Sequence, residues 1–480
     1  MSAPTVPSPP RRRLLHGRTA LLVAFAFAVM ADPVSSVAYA VEAALRALDG
    51  DLALLLPTMA LVVAIIAVVI VNYHQLVGRY PRGGGASAAA GEAFGDGWAF
   101  VPIGALIVDF VLTIAISASA GASAVIAYLP SLAAWRLPIA IGLVVLVGAG
   151  TWFGHLGRLV FAAMTLAFIA VAVTVLAFGL TAQPRASGTV TAAAGHAPAL
   201  AVALAFPVAM ALATGVEAPS SAIAQLGQLD DDGRRSFGRW TLWLTMGIVG
   251  TITLGLAWEA TRLEVGIPTA DTTQIAELAR TAAPGPVFFG FQLMTALLLL
   301  SAASSSFQAG PGLLKALARS TDDTGAVRGM LPSSLGRTNE HHTPYWGVAV
   351  FLVIAVAAVV AADGRDQELV LFYAVSVFLS FLAGLLAMAV FSHRDGERRF
   401  LALNLLGALV VTFTLVVNLS RGLPVVSLVA ALLIAGVLHR SWVRSGRPGG
   451  IRDAAAESEG GETGAAAPAG APDGTIVKGA

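Results

Sequence analysis

The chain has 480 residues, 57% of them hydrophobic and 12% charged, with a formal net charge of +1 and no cysteine. A soluble domain carries about 25% charged residues, so this composition excludes a soluble globular fold. The lack of cysteine excludes disulfides, thiolate metal sites and thiol catalysis. The net charge says nothing about partners, but the arginines are scattered among connecting segments and form no patch for nucleic acid.

Apolar runs of about 20 residues, the length of a membrane-spanning helix, recur along the chain. An all-α polytopic membrane protein follows, with twelve spans predicted at 18–47, 52–76, 98–127, 136–152, 157–181, 198–225, 239–262, 286–316, 344–362, 367–391, 399–418 and 422–440. Residues 1–17, opening Pro/Ser-rich, are expected to be a disordered N-terminus, 18–440 the membrane domain, and the Gly/Ala/Glu/Pro-rich 441–480 a disordered cytoplasmic tail. Arg11-Arg12-Arg13, an apolar run and Ala38-Tyr39-Ala40 imitate a signal peptide with its cleavage site. The run continues into a second apolar half, however, and reads as the first span. All eight histidines fall at span ends or in connections, which leaves no buried histidine metal site or proton relay.

The basic residues set the expected orientation. With the N-terminus inside, 22 of the 29 Lys and Arg lie on the cytoplasmic side. The bias places both termini in the cytoplasm, and the protein is expected in a bacterial-type inner (plasma) membrane.

Two spans are interrupted near their middles. The first carries "DPVSS" at 32–36, and the sixth carries "ATGVEAPSS" at 213–221. The two lie five spans apart, and an odd repeat of five inverts its second copy. Interrupted helices at matching positions of inverted halves point to a transporter's binding site, because backbone groups freed by a break are tolerated only where they line a cavity. The expected architecture is thus a 5+5 inverted repeat of the LeuT kind, with helices 1 and 6 broken and two helices added. Pro33 is expected to unwind the first span so that its backbone meets a substrate.

Three carboxylates, Asp32, Asp109 and Glu217, lie near span centres, where an ionised group costs about 2.5–3.5 kcal/mol on insertion scales. In the third span Asp109, Thr113 and Ser117 are spaced i, i+4, i+8 and form one polar stripe. Either hydroxyl alone would more simply bond back to its own helix; in line with an acid they read as oxygen ligands. Ser119, Gly121 and Ser123 read as a close-packing face. Tyr39 follows Asp32 by seven residues, two turns along the same face, and Tyr373 stands alone among the tyrosines of the tenth span. Carboxylate, hydroxyl, phenol and freed carbonyl together make a hard-cation environment. Three acids would repel an anion, and the first break has no glycine to bare N–H groups for a carboxylate.

"DPVSSVAYA", "YPRGGGASAAAGEAFG", "VDFVLTIAISASAG", "ATGVEA", "SSSFQAGPGLLKALARS" and "LFYAVSVFLS" resemble the amino acid–polyamine–organocation superfamily, and within it the KUP-like proton-coupled potassium importers. The resemblance runs in order from about 18 to 440. It implies potassium bound by Asp32, Tyr39, Thr113, Ser117, Thr214 and Tyr373, with Glu217 in proton coupling and Asp109 a further acid of the cavity. Phe110 departs from the family's usual tyrosine, which puts one ligand in question. The large C-terminal domain through which those importers dimerise has no counterpart here, so oligomeric state and nucleotide regulation stay open.

Three acids in one low-dielectric cavity cannot all stay ionised without a cation beside them. Glu217 is read as proton carrier and Asp32 as the charged ligand. Separate carboxylates for proton and metal ion favour symport over exchange. No cofactor is called for; the transported ions are potassium and a proton. Sodium coupling is a variant, in which Ser304, Ser305 or Ser306 would pair with carbonyls of the first break. The alternatives are an amino acid or polyamine permease and a non-transporting sensor. No enzyme motif appears in a plausible context: "RGGGAS" at 82–87 precedes no βα unit and is no phosphate loop. The expected partners are the lipid bilayer and a small cation or small-molecule substrate.

Overall fold

The computed structural model describes residues 18–154, 157–191, 196–319, 329–449 and 451. The expected disordered N-terminus (1–17) and the tail beyond 451 lie outside the described residues. The rest is helical: α1 Arg18–Val29, α2 Ala31–Ser35, α3 Val37–Ala47, α4 Leu52–Arg79, α5 Gly85–Phe94, α6 Phe100–Tyr128, α7 Arg136–Trp152, α8 Arg158–Gly179, α9 Pro198–Ala209, α10 Ala218–Ala222, α11 Asp231–Arg262, α12 Gln274–Ala282, α13 Gly285–Ala318, α14 Tyr345–Ala361, α15 Asp366–Arg394, α16 Arg398–Ser420 and α17 Val425–Arg444. The only β pairing among the described residues is two isolated bridges, Ser187 to Val265 and Thr189 to Ile267, which knit two connecting loops together.

Among the described residues, ten helical stretches are long and apolar enough to cross a membrane. The two expected spans that fall short are the first, cut into α1, α2 and α3, and the ninth, α14, with 17 residues. Taking the passes alternately, one face collects the arginine-rich connections; we call it the basic face.

The helix α6 is the centre of the bundle. Of its most apolar window 83% is buried, against 22% for α7. A helix apolar on every side is a buried helix, and α6 packs on α13, α15, α17 and α7. Its crossing with α17 needs the absence of a side chain: a Cβ on Gly104 would stand 2.5 Å from the Ala431 carbonyl oxygen. Small residues at such a crossing let two backbones approach where no water drives the helices together.

The prolines place the interruptions. A proline ring clashes with the carbonyl four residues before it. Four residues before Pro33 is Val29, the last residue of α1. Four before Pro219 is Gly215, which takes φ +69°. The two breaks are unequal, however. At the first, Met30 and Ser36 keep right-handed helical angles, the Asp32 carbonyl still accepts the Ser36 N–H at 3.3 Å, and the carbonyls of Asp32 and Pro33 also accept from the hydroxyls of Ser35 and Ser36, each at 2.7 Å. The backbone stays close to helical through the break, so it is not unwound as expected. At the sixth span Thr214 turns out of the helix (ψ 135°) and Gly215 turns left-handed, so there the chain is truly unwound.

The last helix runs four residues past the expected end of the membrane domain, because Trp442 is buried against Phe100 and donates its indole N–H to the Pro448 carbonyl at 3.0 Å. On the basic face Arg79 ends α4 with its guanidinium over the Phe391 ring, 3.9 Å from the centroid, and 2.7 Å from Glu92 of α5. Tyr80 donates to the same carboxylate at 2.8 Å; burial, and then that hydrogen bond, push its phenol up.

Replacing Gly104 by leucine is expected to force α6 and α17 apart at a cost of about 1–3 kcal/mol. The midpoint of thermal unfolding in detergent reads it; an unchanged midpoint would mean that the crossing is not tight.

Candidate functional site

The two interrupted spans meet face to face. A Cβ on Gly215 would lie 2.8 Å from the Asp32 carboxyl carbon, so only glycine allows this approach as well as this backbone angle. Ser36 joins the breaks a second time: its hydroxyl donates to the carbonyl of Pro33 in its own span and to that of Leu212 in the sixth, at 2.7 and 3.0 Å. Asp32 is thereby aimed at the unwound segment, and both Asp32 and Glu217 remain half-buried.

Around this junction the other expected residues assemble. Tyr39, Asp109, Thr113, Ser117, Thr214 and Tyr373 are all buried. Thr113 donates to the Tyr373 phenol oxygen at 3.2 Å, and that phenol lies within hydrogen-bonding reach of Asp109. Tyr39 reaches the Thr214 side chain and feels the charges of Asp32 and Asp109. Tyr373 in turn feels Asp109, Asp32 and Glu217. Thr214 donates its hydroxyl to the Ala211 carbonyl at 2.6 Å, which pins the start of the unwound segment. Seven of the eight residues singled out in the sequence thus form one cluster drawn from α2, α3, α6, the unwound segment and α15. Ser117 is the exception: it is buried beside the cluster, and its hydroxyl makes no hydrogen bond among the described residues.

Four further polar residues extend the cluster. On α15, Asp366, Tyr373 and Ser380 are spaced seven apart, a near-repeat of one helical face that drifts only about 20° per step. Tyr73 of α4 faces Glu217 and Asp109, with Ser380 within reach. Toward the face opposite the basic one, Asp366 accepts from Ser123 at 2.7 Å and Glu42 accepts from the first backbone N–H of α12 at 2.9 Å. Arg136 donates to Ser123 at 2.6 Å, and Arg280 of α12 to the Ala127 carbonyl at 2.6 Å. Ser123, read from the sequence as part of a packing face, instead belongs to this polar layer, which draws α3, α6, α12 and α15 together on that side of the site. The period of seven along α15 was the signal available for Asp366 and Ser380. Tyr73 and Glu42 carried none, since each looks like an ordinary polar residue near a span end.

Every side chain named in the central cluster offers oxygen, as carboxylate, phenol or hydroxyl. Such a set suits a hard cation or a protonated amine and disfavours an anion. Of the serines of the eighth span, Ser305 donates to the Ala302 carbonyl of its own helix at 2.8 Å, Ser304 accepts from Gln308 at 3.4 Å, and Ser306 is buried. Their helix does pack against α2.

A family model described as amino acid permease matches residues 21–438. The potassium transporter KimA of Bacillus subtilis (strain 168) is 29% identical over 368 residues, which cover 73% of this chain and 58% of that protein. The chain therefore spans less than two thirds of its relative's length. Two crystal structures of mutants of the manganese transporter of Eremococcus coleocola match 92% of this chain and 98% of theirs at 14% identity, with a TM-score of 0.45. That likeness bears on neither substrate nor mechanism.

Gly215→Ala is expected to abolish transport while the protein still inserts and purifies. An L residue held left-handed costs about 1–2 kcal/mol, and the new methyl would push Asp32 aside. Uptake measured beside the gel-filtration profile separates lost function from lost fold, and wild-type uptake would mean that the contact between Gly215 and Asp32 is dispensable.

Proposed function

The chain belongs to the amino acid permease family, within the amino acid–polyamine–organocation superfamily, and from that premise we propose that it takes up potassium together with a proton by alternating access. The observation that carries this reading is the Asp32 carboxylate held against Gly215, inside a cluster whose named side chains supply only oxygen. Such oxygens can replace the water shell of a potassium ion. The similarity to a potassium transporter supports the same cargo.

In this reading potassium rests between Asp32, which balances its charge, and the oxygens of Tyr39, Thr113, Ser117, Thr214 and Tyr373. Glu217 carries the proton, and Asp109 is the second acid of the coupling step. Glu217 stands at the end of the unwound segment, next to α10, so movement of that segment alters its surroundings as the ion arrives or leaves. Proton and metal ion occupy different carboxylates, and both are carried in one cycle. The basic face is the cytoplasmic one, with both termini there, and the membrane is the plasma membrane of a bacterial-type cell. Access then alternates by rocking of one group of helices against the rest. The layer of Glu42, Asp366, Ser123 and α12 forms the outer closure.

A second reading takes its support from the family's own description: an amino acid or polyamine as cargo. Asp32 would then receive an ammonium group in place of the metal ion. Sodium at the serines of α13 belongs with either reading as a coupling variant.

Proteoliposomes with a pH dye trapped inside distinguish the two cargoes. Potassium alone is expected to acidify the lumen. Asp32→Asn and Glu217→Gln are each expected to abolish the signal. Acidification only with amino acid or polyamine pools would assign the protein to organic cargo, and wild-type rates in Asp32→Asn would remove Asp32 from the mechanism.

A further inference from the structure

The sixth span is fastened on one side of its break. Asn418 of α16 donates to the Pro207 carbonyl of α9 at 3.0 Å, and Arg421 donates to the Leu204 carbonyl at 2.8 Å. The rings of Phe206 and Phe413 stack between the same two helices, with centroids 5.7 Å apart and planes at 17°. The half of the span before the break is thus held to α16 down to its last turn. Beyond it Thr214 leaves the helix and Gly215 turns left-handed. Leu212 therefore lies on the fastened side of this hinge and Glu217 on the other. Thr214 keeps its hydroxyl on the fastened side, on the Ala211 carbonyl at 2.6 Å.

Ser36 ties the first span to that fastened side. Its hydroxyl has one hydrogen and two carbonyls in reach, Pro33 at 2.7 Å and Leu212 at 3.0 Å. Pro33 lies three residues back in the same span and stays in reach whatever the sixth span does. Leu212 is in reach while the two breaks touch. Ser36 and Leu212 are both fully buried, and a buried carbonyl that loses its donor costs its full desolvation. The bond across the spans therefore favours the arrangement in which Gly215 stands against Asp32. Resting on the reading of Asp32 as the potassium ligand, we propose that Ser36 is a positioning residue for the cation. Its hydroxyl keeps Asp32 in register with the fastened half of the sixth span, so that Asp32 and Thr214 hold their spacing while the half that carries Glu217 swings about Gly215. When the breaks part, the hydrogen falls back to the Pro33 carbonyl, and the first span loses no bond of its own.

Ser36→Ala removes the bond, and Ser35→Ala is its control, because Ser35 donates to the Asp32 carbonyl of its own span. Initial rates of potassium uptake into proteoliposomes separate affinity from turnover. In Ser36→Ala the KM is expected to rise about five- to tenfold with the maximal rate within about twofold of wild type, and in Ser35→Ala both stay within about twofold. Ser36→Thr, which restores a hydroxyl, is expected to recover most of the affinity. Should the alanine variant fail to purify, Ser36→Cys, of similar size and with a weak donor, is expected to raise the KM in the same direction. Amide hydrogen exchange supplies a readout that needs no cargo: residues 211–217 are expected to exchange about fivefold faster in Ser36→Ala, with α16 unchanged. A general loss of fold would instead lower the maximal rate and speed exchange in α16 as well, and would overturn the positioning role. So would a wild-type KM with unaltered exchange, or an equal effect from Ser35→Ala. Wild-type protein that fails to respond to potassium would overturn the potassium reading, and the exchange at 211–217 would still decide whether Ser36 holds the breaks together.

Discussion

The approach of Gly215 to Asp32 is the constraint from which the remaining geometry follows. A side chain at 215 would overlap the carboxyl carbon of Asp32, and the left-handed angle of Gly215 is what lets the sixth span leave its helix at that point. Ser36 then ties the carbonyl of Leu212 to the first span. Backbone groups freed in a break cannot be satisfied by lipid, and here a side chain of the first span meets the Leu212 carbonyl of the sixth. The carboxylate left at that junction is Asp32, half-buried and turned toward the unwound segment.

Around that junction the polar groups support each other in pairs drawn from different spans. Thr113 and Tyr373 join α6 to α15, Tyr39 reaches Thr214, and Tyr373 reaches Asp109. Buried polar groups are tolerated when they are hydrogen-bonded. Here the bonds also hold helices that belong to separate parts of the bundle. Any shift of α15 against α6 must alter the surroundings of Asp109, and any shift of the unwound segment must alter those of Asp32 and Glu217. In this arrangement helix movement and the surroundings of the three acids are tied through the same bonds.

The breaks differ in what they offer. At the first break the backbone stays close to helical and serines at 35 and 36 donate to the carbonyls of Asp32 and Pro33, so the first span offers chiefly the Asp32 side chain to the junction. The sixth span, with glycine instead, presents an unwound backbone. Pro33 and Pro219 thus mark these two interruptions, through their clash with the carbonyl four residues earlier, whereas Pro207 and Pro311 sit inside continuous helices. Hydroxyls cap carbonyls at both breaks, so the wider opening of the sixth span goes with the left-handed Gly215.

From sequence alone came the spans, the positions of both interruptions, the three central acids and the stripe on the third span. These are local consequences of apolar run length, proline sterics and the rarity of charge in lipid, and all can be read along one helix at a time. The tertiary structure decided the rest. It set Gly215 on Asp32, turned Ser123 from a packing residue into a hydrogen-bond donor to Asp366, and brought Tyr73, Glu42 and Ser380 to the cluster. Each of those depends on which helix lies opposite and at what height, a property of pairs of distant segments that no single span encodes. Ser117 marks the boundary between the two: its register on the third span is plain in the sequence, yet the fold leaves its hydroxyl beside the cluster without a hydrogen bond to it.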